Sequence, residues 1–282
     1  MSLNDREFST SKSWDGGSIL LHGINNVGKT RLACAIAAHE SQYGRVYILS
    51  FTQEMGYSSA AGMGLDKEQL GYQALFEADG MEEWDEFMEL VEKNNKADGK
   101  KARCIVMDSM KSGYDAVQVA KTGGERPVTS GKSDNNEWPT CHLWMGNRMT
   151  RMRKLSDWLI VTAPSDSGVS QLKEVETGIK GDPMVVPDLN GKMATACATW
   201  FNLIGYLMAD SMKKGNKITV RRSLSFTYST KYYTRQRMPG EGITEVIDVP
   251  EGNPVGAWIK LRSLADAVYA QAYAASHLTE KK

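Results

Sequence analysis

The sequence predicts an α/β fold with a mostly parallel central sheet flanked by helices and a late antiparallel strand pair. Three observations lead there. Residues 23–30 read GINNVGKT, a full G-x-x-x-x-G-K-[ST] phosphate-binding loop, set between the apolar run Ile19, Leu20, Leu21 and a helix-like stretch from Thr30 to Gln42. Short apolar runs then alternate with helical periodicity as far as Ala163, the pattern of strands covered by helices on both faces. Beyond Ile218 the pattern changes to the alternation and β-branched content of one or two later strands.

Taken in order, the first strand delivers the chain to the loop, and Leu32, Ala33, Ile36 and Ala37 recur at helical spacing until Gly44 stops the helix. Val46 to Leu49 is a continuous apolar run within a strand expected over Arg45 to Phe51. After a Gly-, Ser- and Ala-rich stretch at 55–66, Met81 to Asn95 places Trp84, Phe87, Met88 and Val91 on one side of a helix, a core stripe. A basic turn at Lys100, Lys101 and Arg103 introduces a third apolar strand, Cys104 to Met107, ending at Asp108. Residues 121–137 hold almost no large apolar side chains and read as a mobile loop. A helix from about Leu143 to Ser156 follows, then a strand from Trp158 to Ala163 closed by Pro164. A second excursion spans Ser165 to Gly191. Phe201 to Met208 reads as a central strand, Lys213 to Asn216 as the turn of the strand pair, and Pro254 to Leu278 as a helix or helix pair. The expected organisation is a polar arm at 1–17, a core at 18–250 and a C-terminal helical segment at 251–282.

Composition narrows the function classes. The 34 basic and 34 acidic residues cancel, so a nucleic-acid surface must be local rather than global. No stretch has the length and apolarity of a membrane span or a signal peptide, so the expectation is a soluble protein without membrane contact, in the cytoplasm. Cys34, Cys104, Cys141 and Cys197 are far apart and read as buried free thiols, and the four histidines suggest no zinc site.

The chemistry concentrates on the loop. The backbone of Gly23, Asn25, Asn26, Val27, Gly28, Lys29, Thr30 and Arg31 is expected to wrap the phosphates of a nucleoside triphosphate. Lys29 reaches the β and γ phosphates, and the Thr30 hydroxyl is placed to ligate Mg2+. Asp108, at the end of a hydrophobic strand, is the second metal-side group. Glu54, just beyond the strand after the loop helix, is the expected catalytic base, with Gln53 an alternative for positioning water.

The order of GINNVGKT, SFTQE, RCIVMDSM and LIVTAP resembles the RecA-like recombination ATPases, over roughly residues 18–240. The late segment PDLNGKMATACATWFNLIGYL, followed by a strand pair and YYTRQR, is similar to phage single-strand-annealing ATPases and related phage nucleotide-binding proteins. The resemblance implies a RecA-like P-loop NTPase that hydrolyses ATP with Mg2+. It implies assembly into a filament or ring and action on single-stranded DNA in phage recombination, repair or replication, with a single-strand-binding protein as a further partner in the host cytoplasm. Residues 121–137 and 165–191 then occupy the positions of that family's DNA-contacting loops, and carry Lys121, Arg126, Lys132, Lys173 and Lys180, with Lys192 directly after the second, among acidic neighbours. Lys231, Arg235 and Arg237 are candidates to reach an adjacent subunit's γ-phosphate. The chain departs from the family where relatives place a Gln or His sensor: it has Ala163, Pro164 and Ser165 there. Two other readings stay open, a helicase-like or loading ATPase of the same fold and a nucleotide-binding assembly protein without DNA activity.

Overall fold

The computed structural model describes residues 13–52, 56–122, 137–166, 185–189, 196–214 and 217–279. Its centre is a sheet in the order β10-β8-β7-β1-β5-β4-β2-β3. The strands are β1 (Gly17–Gly23), β2 (Val46–Phe51), β3 (Leu75–Ala78), β4 (Ala102–Asp108), β5 (Ser156–Asp166), β6 (Val186–Pro187), β7 (Leu203–Lys214), β8 (Lys217–Ser225), β9 (Arg235–Gln236) and β10 (Ile247–Asp248). From β3 across to β7 every pairing is parallel. Beyond β7 the sheet turns antiparallel through β8 and β10, and β6 and β9 pair antiparallel with β5 and β7. The predicted fold class therefore stands: a mostly parallel sheet flanked by helices with a late antiparallel pair.

Helices cover both faces because the central strands are apolar on both sides. Ile19, Leu21, Ile48, Val106 and Ile160 point into a core shared with α1 (Lys29–Glu40), α2 (Gly56–Ala61) and the C-terminal helix α7 (Pro254–Thr279). Leu20, Leu49, Ile105, Met107 and Leu159 point the other way, toward α4 (Met81–Asp98), α5 (Met110–Thr122) and α6 (Glu137–Leu155). The stripe Trp84, Phe87, Met88 and Val91 is buried as its spacing predicts. A short α3 (Lys67–Leu70), capped by the Asp66 side chain, precedes the edge strand β3, which the sequence reading left out: four residues with Glu77 among them give no usable period.

The chain after Val249 packs into this core. Glu40, fully buried at the end of α1, accepts from Arg103 Nε at 2.7 Å, Trp258 Nε1 at 2.8 Å and Arg262 at 3.3 Å, joining α1, β4 and α7. Trp14, ahead of β1, meets Trp158 edge-on at 4.6 Å, and Trp158 meets Trp258 at 5.0 Å. The expected helix or helix pair is one helix, since nothing between Pro254 and Thr279 breaks its alanine-rich run. All four cysteines are free and buried, and burial pushes the Cys34 and Cys197 thiols up to about 12. No helix among the described residues is long and apolar enough to cross a membrane.

Candidate functional site: the phosphate-binding loop

β1 ends at Gly23 and α1 begins at Lys29, so the expected loop sits at the carboxyl end of a central strand. Gly23 is required by space: a Cβ there would stand 2.5 Å from the Leu207 carbonyl oxygen on β7. Gly28 is required by conformation, with φ 102° immediately before the helix. Asn26 also adopts a left-handed φ of 63°. Val27 is buried and anchors the loop, while Ile24, Asn25, Asn26 and Arg31 face solvent. The first turn of α1 carries no acidic residue and no capping side chain, so its amides and dipole are left to an external anion.

Lys29 folds back over this loop, its Nζ donating to the carbonyl oxygens of Gly23 and Ile24 at 2.9 Å each. The Thr30 hydroxyl donates to the Asp108 carboxylate, at 2.9 Å from one oxygen and 3.1 Å from the other. Two groups 78 residues apart thus meet at the mouth of the loop. The strand order explains how. β5 lies between β1 and β4, with Leu21 level with Thr162 and Met107 level with Val161, so Asp108 emerges across one strand from the loop. Thr162, fully buried on β5, donates to the same carboxylate and fixes its orientation. Sequence reasoning missed Thr162, a single hydroxyl in the apolar run LIVTAP.

The donor set fits a hard divalent ion. A hydroxyl and a carboxylate side by side are magnesium ligands, and that ion keeps water and phosphate oxygens for its remaining positions. Consistently, no group of three or more His, Cys, Asp or Glu residues gathers into a metal cage among the described residues.

The other expected residues divide. Gln53 and Glu54 lie outside the described residues. Arg235 and Arg237 do not converge on this chain's own loop. Arg235 is level with Ile204 and Arg237 donates its N–H to Asn202, at the amino end of β7, where Leu203 is level with Ile19. Four strand residues separate that level from Gly23, about 13 Å. Lys231 is exposed. Of the loop cations, Lys121 lies over the Trp144 ring at 5.9 Å, and Arg126, Lys132, Lys173, Lys180 and Lys192 lie outside the described residues.

At the sensor position, Ser165 Oγ meets His22 Nδ1 at 2.9 Å, and His22 Nε2 meets the Tyr233 carbonyl at 2.6 Å. His22 directly precedes the loop, is fully buried, and has its pKa lowered to about 4, first by burial and further by the Lys29 charge, against the opposing hydrogen bond to Tyr233. It is therefore neutral, with one ring nitrogen donating to the carbonyl and the other accepting from the serine. Tyr232 stacks on Tyr206 at 4.6 Å, and Tyr233 packs against the core, so both tyrosines serve packing. A cleft of about 450 Å³ beside Thr52 and Gly80 is lined by Asp79, Glu82, Glu83 and Asp115 and by no basic residue, which makes it hostile to polyphosphate.

No curated protein matches the chain. Among solved structures, a KaiC-like protein, PH0186, from the hyperthermophilic archaeon Pyrococcus horikoshii OT3 aligns at 15% identity and a TM-score of 0.45, covering 85% of this chain and 88% of that one. A family model described as an AAA domain matches residues 15–238, which include the loop, Asp108, Thr162 and the β7–β8 pair. The chain belongs to this AAA domain family and carries a phosphate-binding loop between β1 and α1.

Proposed function

We propose that this protein hydrolyses ATP in a magnesium-dependent reaction, as a homo-oligomer acting on single-stranded DNA in recombination, repair or replication, in the cytoplasm. The observation that carries the catalytic half is the meeting of Thr30 and Asp108 beside a loop on which Lys29 is already folded. The DNA half rests on the resemblance of the ordered motifs and of the segment ending in YYTRQR to recombination ATPases.

The loop amides bind the phosphates and Lys29 exchanges its two carbonyl partners for phosphate oxygens. Thr30 and Asp108 would hold the magnesium ion, which when bound offsets charge on the β and γ phosphates. Thr162 keeps the Asp108 carboxylate turned toward Thr30. Glu54 accepts the proton of the attacking water as the bond between the γ-phosphorus and the ADP oxygen breaks. Arg235 or Arg237, too far from this chain's own loop, serves the γ-phosphate of a neighbouring protomer, which makes turnover depend on assembly.

A specific observation favours a second reading, an assembly protein that binds nucleotide without DNA. Ser165 stands where relatives carry the sensor, and it is engaged with His22 rather than presented to the nucleotide. ATPase activity measured with and without single-stranded DNA at low and moderate salt decides. Stimulation by DNA that fades with salt supports the first reading, whereas turnover indifferent to DNA, with no DNA bound at either salt, replaces it by the second.

A further inference from the structure

The β7–β8 hairpin reaches the phosphate-binding loop from the side through one residue that the nucleotide reading above does not use. Successive residues of β8 point to opposite faces. Arg221 pairs with Asp248 in solvent at 2.6 Å, while Arg222, level with Ala209 on β7, turns inward and donates from Nε to the Val27 carbonyl at 3.1 Å. Its side chain runs along the open flank of Gly28, where a Cβ would lie 3.5 Å from Nε. Its charged partner, Glu251, is 3.8 Å away and largely exposed, too far and too wet to hold the guanidinium. The peptide between Val27 and Gly28 is planar, with its C=O and N–H opposed. Holding the Val27 oxygen toward Arg222 therefore turns the Gly28 N–H away from β8, and a cation on the oxygen polarises that N–H into a stronger donor.

We propose that Arg222 is a positioning residue for the phosphate-binding loop, which presents the Gly28 amide to the phosphates common to ADP and ATP and makes nucleotide affinity depend on the seating of the β7–β8 hairpin. The inference rests on the loop being the nucleotide site. Any oligomer contact or partner that shifts the hairpin would then change affinity without touching the nucleotide.

The test uses the full chain, with fluorescent ATP and ADP analogues and, separately, the melting temperature without nucleotide. Arg222→Gln is expected to weaken both nucleotides by about tenfold, the scale of a lost charge-assisted hydrogen bond. The nucleotide-free melting temperature should stay within about 2 °C, as for a surface change. Arg222→Lys, which keeps a cationic donor, should recover much of the loss, and Glu251→Gln should leave affinity within about twofold. Lys29→Ala separates the two levels. If it loses nucleotide while Arg222→Gln binds like the parent, the inference about Arg222 fails and the site stands; if both bind like the parent, the site reading fails. A loss confined to ATP would place Arg222 at the γ-phosphate and overturn the positioning role. A fall in melting temperature of about 5 °C or more without rescue by lysine would reduce Arg222 to a structural anchor.

Discussion

His22 carries a pH signature that can be read in stability. Its folded pKa of about 4 lies below the ordinary 6.5 of the unfolded chain, so between those values the unfolded chain binds a proton that the folded one refuses. Stability is undiminished above pH 6.5 and falls as pH drops toward 4, by about 3 kcal/mol in total from this ring. We predict that denaturant titrations between pH 7 and 4 show this loss and that His22→Gln flattens its slope; parallel slopes in the two proteins would remove His22 as the cause. At the loop, Lys29→Ala is predicted to reduce ATP affinity by tenfold or more, roughly the worth of a charge-assisted contact to phosphate, measured by direct titration. Legibility at this scale follows distance along the chain. The loop residues and Asp108 could be read because each is announced by its own neighbours, GINNVGKT and RCIVMD. Thr162 and Arg222 could not, since their roles exist only once β5 is inserted between β1 and β4 and β8 is laid beside the loop, 195 residues away from Val27.

Among the elements, the joint between α1 and α7 is the most exposed to a single change. Glu40 is a carboxylate in the last turn of α1, where the helix dipole disfavours it, and it is held in the core by Arg103, Trp258 and Arg262. Removing it leaves the Trp258 indole N–H without its acceptor and leaves Arg103 and Arg262 to the more exposed Asp157 at 3.3 Å and Asp15 at 4.0 Å. Glu40→Ala is therefore predicted to cost about 3 kcal/mol or more, read as a lowered denaturation midpoint. A midpoint shift equivalent to less than about 1 kcal/mol would show that Arg103 and Arg262 are satisfied by water instead. β1, β2, β4, β5, α1 and α4 lie within a few residues of their expected bounds, whereas α6 begins six residues before Leu143, β7 runs six beyond Met208, and α5 was not expected. Nor were the short elements: β3, β6, β9 and β10 have two to four residues each, too few for any period, and exist because a neighbouring strand offers them a ladder. Of the one or two strands expected beyond Ile218, the first is β8, which stops at Ser225, and the chain then returns to pair Arg235 with Ile204 on β7.

For the whole molecule, zero net charge means that any nucleic-acid surface is a local cluster of cations rather than a global positive field. Arg235 and Arg237 sit away from their own loop, which suits a role in trans. We predict that Arg235→Ala or Arg237→Ala lowers turnover by about a hundredfold or more, the scale of a lost transition-state donor, while ATP binding to the isolated chain is retained. Mixing either variant with Lys29→Ala protein should restore part of the activity, and no restoration at any ratio would argue against contribution between protomers. The most direct test of the central claim, that Thr30 and Asp108 converge on the metal end of a bound triphosphate, is ATP affinity measured with and without Mg2+ in the parent and in Asp108→Asn. The account predicts that magnesium tightens ATP in the parent and that Asp108→Asn abolishes most of this gain while leaving metal-free binding nearly unchanged. An Asp108→Asn protein with the parent's full magnesium dependence would contradict it.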